Sequence, residues 1–290
     1  AGGEEGRVNA GVTSRVAVSA APGLSLIYTL LPLYYLVVAA TKSNADLFST
    51  FGLWFAPEVR VAENLRDLLA QDGGVFLRWM LNSALYALTA GLGAALVATA
   101  AGYAFAKFRF RGRDAAFAVI LGSLMVPNTA LVIPSFLMLS RMGLVDTAWA
   151  VILPSTIFPL GVYLMRVYAE AAVPDELLDA ARIDGAGEMR IFTHVVFRLL
   201  APGFVTVLLL CFTATWNNYF LPLVVLSRSE LMPVTVGLAQ WYQLASAGSG
   251  GQALFSVVLM GALVAILPVI AMFLLLQRYW ESGLGTGSIK

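Results

Sequence analysis

Six stretches of this chain are each long and apolar enough to cross a lipid bilayer, and that limits its fold more than any other feature. A crossing helix needs about 20 mostly apolar residues. The runs fall at roughly 16–40, 80–106, 115–139, 148–167, 199–227 and 253–277. They predict an all-α integral membrane protein with six transmembrane helices. Composition agrees: 59% of residues are hydrophobic and 12% charged, where soluble domains have about 45–50% and about 25%. The first run is too long for a signal-peptide core and lacks a clear small-x-small cleavage site, so it reads as a retained helix.

Basic residues assign the sides. The short loop KFRFRGR (107–113) holds Lys107, Arg109, Arg111 and Arg113, and short loops rich in Lys and Arg stay in the cytoplasm. Six spans then put both termini and the 168–198 loop inside, with twelve of the 18 basic residues. This divides the chain into a cytoplasmic tail (1–14), a membrane domain (15–278) and a second cytoplasmic tail (279–290). Outside, VAENLRDLLA (61–70) has an amphipathic pattern and predicts a helix off the membrane. The stretch SAGSGGQ (246–252) predicts a flexible external connector, and residues 1–14 predict an unstructured tail.

The absences are equally informative. None of the 17 carboxylates falls deep in a predicted span. That argues against an ion-driven transporter, whose coupling ion needs a partner near the midplane. It also argues against an intramembrane aspartyl protease, which needs paired carboxylates. Cys211 sits in an apolar run and reads as packing, and one Cys with one His (His194) makes no zinc site. A net charge of +1 gives no support for nucleic-acid binding. A P-loop needs Gly-Lys followed by Ser or Thr, yet Lys42, Lys107 and Lys290 are the only lysines and none follows a glycine. If the protein works by ATP hydrolysis, another chain binds the ATP.

The cytoplasmic loop is where such a chain would dock. It reads YAEAAVPDELLDAARIDGAGEMRIFTHVVFRLLAP (168–202). Pro174 suits a helix start, and Asp175 and Glu176 suit its positive end. Leu177, Leu178 and Ala181 lay an apolar stripe on a helix over 175–184, and Gly185 and Gly187 break it. A second short helix over about 188–198 presents Met189, Phe192 and Val196 at helical spacing. An amphipathic linker lying on the bilayer surface is the competing reading. Six carboxylates against Arg182, Arg190 and Arg198 count against it, because surface-lying helices favour basic residues.

The string VPDELLDAARIDGAG (173–187) contains DAA-x-x-DGA (179–186), which resembles the EAA loop of ABC importer permeases of the carbohydrate-uptake branch, most closely the MalG type. The resemblance continues through Asn82-Ser83, MVP (125–127), Ile133-Pro134, Gly143-Leu144, TWNNYFLPL (215–223) and the ending QRYWESGLGTGSIK (277–290). It covers roughly 80–290. Two departures stand out: Asp179 replaces the motif's leading Glu, and the closing proline is displaced to Pro202, with Arg198 before it.

This resemblance implies a MalG-like type I importer fold with a cytoplasmic coupling helix pair, in a bacterial or archaeal plasma membrane. The implied partners are a second homologous permease subunit, two ATPase subunits and an extracytoplasmic solute-binding protein. No cofactor is expected on this chain; ATP and Mg²⁺ belong to the ATPase subunits, so the chain itself is not an enzyme. The coupling contact would comprise Asp179, Ala180, Ala181, Asp184, Gly185, Ala186, Met189 and Phe192. Asp179 would meet a basic ATPase residue, Gly185 would set the turn, and Met189 and Phe192 would anchor in a groove. For a sugar-like solute, Asn128, Thr129, Asn217 and Asn218, with Trp216 and Tyr219, supply the amides and aromatics of a pathway. The same residues also serve as helix–helix glue and interface anchors. Pro127, Pro134, Pro154, Pro159, Pro222 and Pro268 predict broken helices in four spans. The alternative from another class is a membrane scaffold or channel subunit not coupled to ATP.

Overall fold

The computed structural model describes residues 5–247 and 254–284. Every regular element among them is helical. In chain order these are α1 (Glu5–Ala40), α2 (Asn44–Ser49), α3 (Val61–Ala70), α4 (Val75–Lys107), α5 (Arg113–Ser123), α6 (Val132–Arg141), α7 (Trp149–Thr156), α8 (Pro159–Ala172), α9 (Asp175–Ile183), α10 (Glu188–Ile191), α11 (Phe197–Trp216), α12 (Phe220–Val225), α13 (Val234–Ser246) and α14 (Leu254–Leu284). Among the described residues, five helical segments are long and apolar enough to cross a membrane, and six if the bent pair α5–α6 counts as one span. The protein is thus a multi-pass membrane protein, and α3 coincides with the amphipathic stretch expected off the membrane.

Several expected boundaries are corrected. Residues 5–14 continue α1 rather than forming a loose tail. The run 115–139 is not one straight span: α5 and the segment Asn128–Arg141 meet at 99°. The break is at Met125–Pro127, because proline removes a backbone donor and drives the residue before it out of the α region. The run 148–167 is interrupted at Ile157–Phe158, with Pro159 opening α8. The run 199–227 ends early, α11 stopping at Trp216 and α12 starting afresh at Phe220. Pro268, by contrast, lies inside an unbroken α14. Of SAGSGGQ, residues 248–252 lie outside the described part, as do 1–4 and 285–290.

The chain divides into two units. One comprises residues 1–70 and 241–264. Within it, Asn44 bonds Ser256 twice: its Nδ2 donates to Ser256 Oγ, and the Ser256 N–H donates to its Oδ1, both at 3.0 Å. Phe48 meets Phe255 edge to face at 5.4 Å.

The other unit comprises 71–240 and 265–290 and is organised around α4. α4 packs along both α8 and α11, with Ala95 and Ala98 buried on the shared faces. Small residues let membrane helices approach closely, which matters where lipid offers no hydrophobic drive for association. Gly102 is the tightest such point on α4. A Cβ there would lie 2.5 Å from Met165 Cβ and 2.7 Å from the Arg166 backbone N.

Between α6 and α7, Asp146 sits at φ 61°, in the left-handed region, which Asp tolerates better than most residues. From there its carboxylate accepts from the backbone N–H groups of Ser227 (2.9 Å) and Arg228 (3.0 Å) and from Arg228 Nε (2.8 Å). The Arg228 and Ser227 amides, aided by the guanidinium, hold its pKa below the usual carboxylate range. A lowered carboxylate pKa stabilises the fold above the ordinary value, and that stabilisation is lost as pH falls through the folded-state value. Wild type should therefore lose thermal stability more steeply than Asp146→Asn as pH falls below about 4, the ordinary carboxylate value. Parallel melting curves in detergent across that range check this, and identical slopes would remove Asp146 as a pH-dependent tie.

Candidate coupling site and solute path

The 168–198 loop is built from its breaks. α8 stops at Ala172, Pro174 takes an extended conformation, and α9 begins at Asp175 with two carboxylates in its first turn. At its other end Gly185 adopts φ 79°. The Gly185 N–H donates to Arg182 O and the Ala186 N–H to Ala181 O, both at 3.0 Å. This is a Schellman closure, in which a left-handed residue lets the chain satisfy the helix's last carbonyls. The expected second short helix is not separate. α10 passes into a π-helical turn (Phe192–Val196) and on into α11, so Glu188–Trp216 is continuous helix. The Phe197 N–H bonds Phe192 O across five residues, which widens the backbone without breaking it; such turns often occur at functional positions. The loop is therefore one short helix, α9, strung between α8 and the start of α11.

α9 has an inner and an outer face. Leu178 is buried, and Ala181 and Ala186 pack on the cluster of Tyr103, Met165, Ala169, Ile191 and Val196. Phe192 also turns inward: its ring lies 5.5 Å from Tyr103 and 6.3 Å from Phe197. Half-buried, it takes part in the chain's own packing, where the sequence suggested a groove anchor. The outer face carries Asp179, Ala180 and Asp184, all exposed. Beside them stand two bare apolar side chains, Ile183 at 87% exposure and Met189 at 75%. Ile183 was not among the expected anchors. Its signal was present, an isoleucine one residue before a helix cap in an acidic stretch, but periodicity alone does not say which apolar residues face out.

Ion pairs fix this geometry. Arg182 Nη1 donates to Asp179 (3.0 Å) and its Nε to Glu188 (2.8 Å), bridging the Gly185 turn. Asp179 is thus already engaged by a basic residue of its own helix. Lys107, at the end of α4, donates to Asp175 at 2.8 Å with its side chain almost fully covered. That hydrogen bond and charge keep the Asp175 carboxyl below its usual pKa. α9 is tied by Lys107 to α4, by chain continuity to α8, and through the π turn to α11.

The solute-path candidates are dispersed. Asn128 and Thr129 form an exposed 3₁₀ turn at the α5–α6 bend. Asn217, Asn218 and Tyr219 occupy the α11–α12 break. Asn217 Nδ2 donates to Thr213 O at 2.9 Å, within its own helix. The Asn218 carbonyl accepts from Thr235 Oγ1 at 2.9 Å; an unbroken helix would have paired it with residue 222, which is proline and has no N–H. Trp216 is buried and stacked on Phe212 at 5.6 Å, within the packing of its own helix.

A family model described as "Binding-protein-dependent transport system inner membrane component" matches residues 72–283. The arabinooligosaccharides transport system permease protein AraQ of Bacillus subtilis is 33% identical over 268 residues, 92% of each chain. The lactose transport system permease protein LacG of Rhizobium radiobacter is 31% identical over 270 residues, covering 92% of this chain and 93% of that one. Among solved structures, a chain of a bacterial ABC transporter involved in importing the acidic polysaccharide alginate superimposes with a TM-score of 0.80 at 23% identity. That match covers 92% of this chain and 96% of the other.

Proposed function

Because the chain belongs to the binding-protein-dependent transport system inner membrane component family, we propose that it is one permease subunit of an ATP-driven importer of sugars or short oligosaccharides. Separate ATPase subunits drive it through the 173–198 loop. A second permease subunit completes the membrane path, and an external solute-binding protein delivers the solute. Both termini and the loop lie in the cytoplasm, as the basic 107–113 loop favours.

The observation that carries the coupling is the outer face of α9. Two bare apolar side chains, Ile183 and Met189, stand on an acid-rich loop clamped to the ends of membrane helices. Exposed apolar groups in this setting suit a protein groove better than water, and the clamps let force on α9 reach α4, α8 and α11. ATP and Mg²⁺ bind the ATPase subunits, whose dimer closure moves α9. This is a coupling of two sites through one movable element. Asp179, Ala180, Asp184, Ile183 and Met189 make the contact. Ala181, Gly185, Ala186 and Phe192 shape the turn and seat it. The sugar class follows from AraQ and LacG by similarity, and Asn128, Thr129, Asn217, Asn218 and Tyr219 are the polar lining on this chain.

The test is purification of the tagged chain in mild detergent from its native cells. The expected result is co-elution of an ATPase carrying a P-loop, together with a second permease. Recovery of the second permease without any ATPase would overturn the coupling and leave the scaffold or channel reading.

A further inference from the structure

α1 and its apolar stretch end at Ala40, but the chain stays bound to that helix end. Lys42, itself buried, donates from Nζ to Thr50 Oγ1 (2.9 Å) and to the Phe51 carbonyl (2.8 Å). The Arg60 N–H donates to the Thr41 carbonyl at 2.8 Å. Asn64 Nδ2, buried on α3, donates to the carbonyls of Ala40 (2.8 Å) and Lys42 (2.9 Å). These bonds pin both ends of the 51–59 segment at the level of the helix end. Its middle is pinned lower down. Tyr34 OH donates to the Leu53 carbonyl at 2.9 Å, and a Cβ on Gly52 would lie 3.5 Å from the Tyr35 ring. Tyr34 lies six residues before Ala40, which is about 9 Å back along the helix at 1.5 Å per residue. The segment therefore folds down alongside the membrane-crossing part of α1 and returns.

What it carries there is aromatic. Phe51 is 73% exposed, Trp54 67% and Phe55 42%, and no charged residue occurs from Phe51 to Pro57. Glu58 and Arg60, the first charges, stand exposed where the segment climbs back to the helix end.

We propose that residues 51–59 are an interfacial anchor, with Phe51, Trp54 and Phe55 inserted at the headgroup–acyl boundary of the leaflet that meets the C-terminal end of α1. Phospholipid is the occupant of this face. Trp settles at that boundary, its ring apolar and its N–H able to hydrogen-bond, and Phe rings beside it bury on the acyl side. Depth favours lipid over water, since the aromatic row sits beside a span and not beyond it. Extent favours lipid over a protein partner. α1 leaves Leu24, Ile27, Tyr28 and Leu31 uncovered along its crossing length, so the row continues a surface of membrane height rather than a bounded footprint. The anchor fixes the level at which α1 rides in the bilayer. It rests on the length and placement of α1 and not on the coupling of α9.

The test uses the assembled transporter in lipid nanodiscs and the difference in emission between wild type and Trp54→Phe. Phosphatidylcholine brominated near the glycerol backbone should quench the Trp54 component most strongly, since interfacial aromatics sit at headgroup level. Lipid brominated near the chain ends should quench it less, and aqueous acrylamide least. Quenching by acrylamide without quenching by brominated lipid would place the segment in water and overturn the proposal. Protection from both would show a protein cover and overturn it equally. If the Trp54 component is too weak to resolve, a spin label at Trp54→Cys in a Cys211→Ala background gives the same decision. Oxygen should relax it more strongly than a water-soluble nickel chelate, and the reverse order would overturn the anchor.

Discussion

Replacing Ile183 and Met189 together by Asp is expected to release the ATPase subunits from the membrane complex while leaving the second permease bound. Both side chains are almost bare in this chain, so the substitutions remove no internal packing. Burying one apolar side chain is worth about 1.5–3 kcal/mol. Losing two, about 3–6 kcal/mol, weakens association by roughly two to four orders of magnitude. Placing two carboxylates in an apolar groove adds a desolvation cost. Phe192→Ala is the contrasting variant. Its ring packs on Tyr103 and Phe197 but is only partly buried, so it should lower the thermal stability of the chain by less than the about 3–5 kcal/mol of a fully buried Phe→Ala deletion. Detergent pull-down with the ATPase quantified, alongside a melting curve of each variant, separates the two effects. ATPase retention at wild-type level by the double Asp variant would remove the outer face of α9 from the contact.

The second large effect is expected at Gly102→Val. A Cβ at this position meets the Arg166 backbone N and the Met165 backbone carbon, both at 2.7 Å, and backbone does not swing aside as a side-chain tip can. α4 and α8 would have to part. Overpacking costs about 1–3 kcal/mol where neighbours can shift, and here the upper end or more is expected, since the displaced atoms belong to a helix axis. α8 runs directly into the loop that carries α9, so the damage should reach coupling as well as folding. The variant should give little monodisperse protein on size exclusion, and what survives should show ATPase activity no longer stimulated by the solute-loaded binding protein. Gly122→Ala on α5 is the control, because a Cβ there meets nothing within 4 Å. Equal behaviour of the two variants would refute the close-contact account.

Local chemistry determined much of this protein without any structure. Apolar length announced the spans, and the amphipathic helix α3 was readable to its ends, Val61 and Ala70. Pro174 and Gly185 bounded α9 because each acts on its own backbone: one lacks an N–H, the other accepts a positive φ. Other features depend on residues distant in sequence, and only the tertiary structure decided them. Leu178 and Ile183 are both apolar residues of α9, yet one is buried and one bare, because the cluster around Met165 and Val196 covers one side only. Lys107 holds Asp175 from 68 positions away. Phe192 turned inward because Tyr103 was there to receive it. The helix breaks again after Trp216, where Pro222 withholds a donor from Asn218 and Thr235 supplies one instead. Periodicity reports which residues share a face of a helix; what that face meets is settled by the neighbours the fold brings to it.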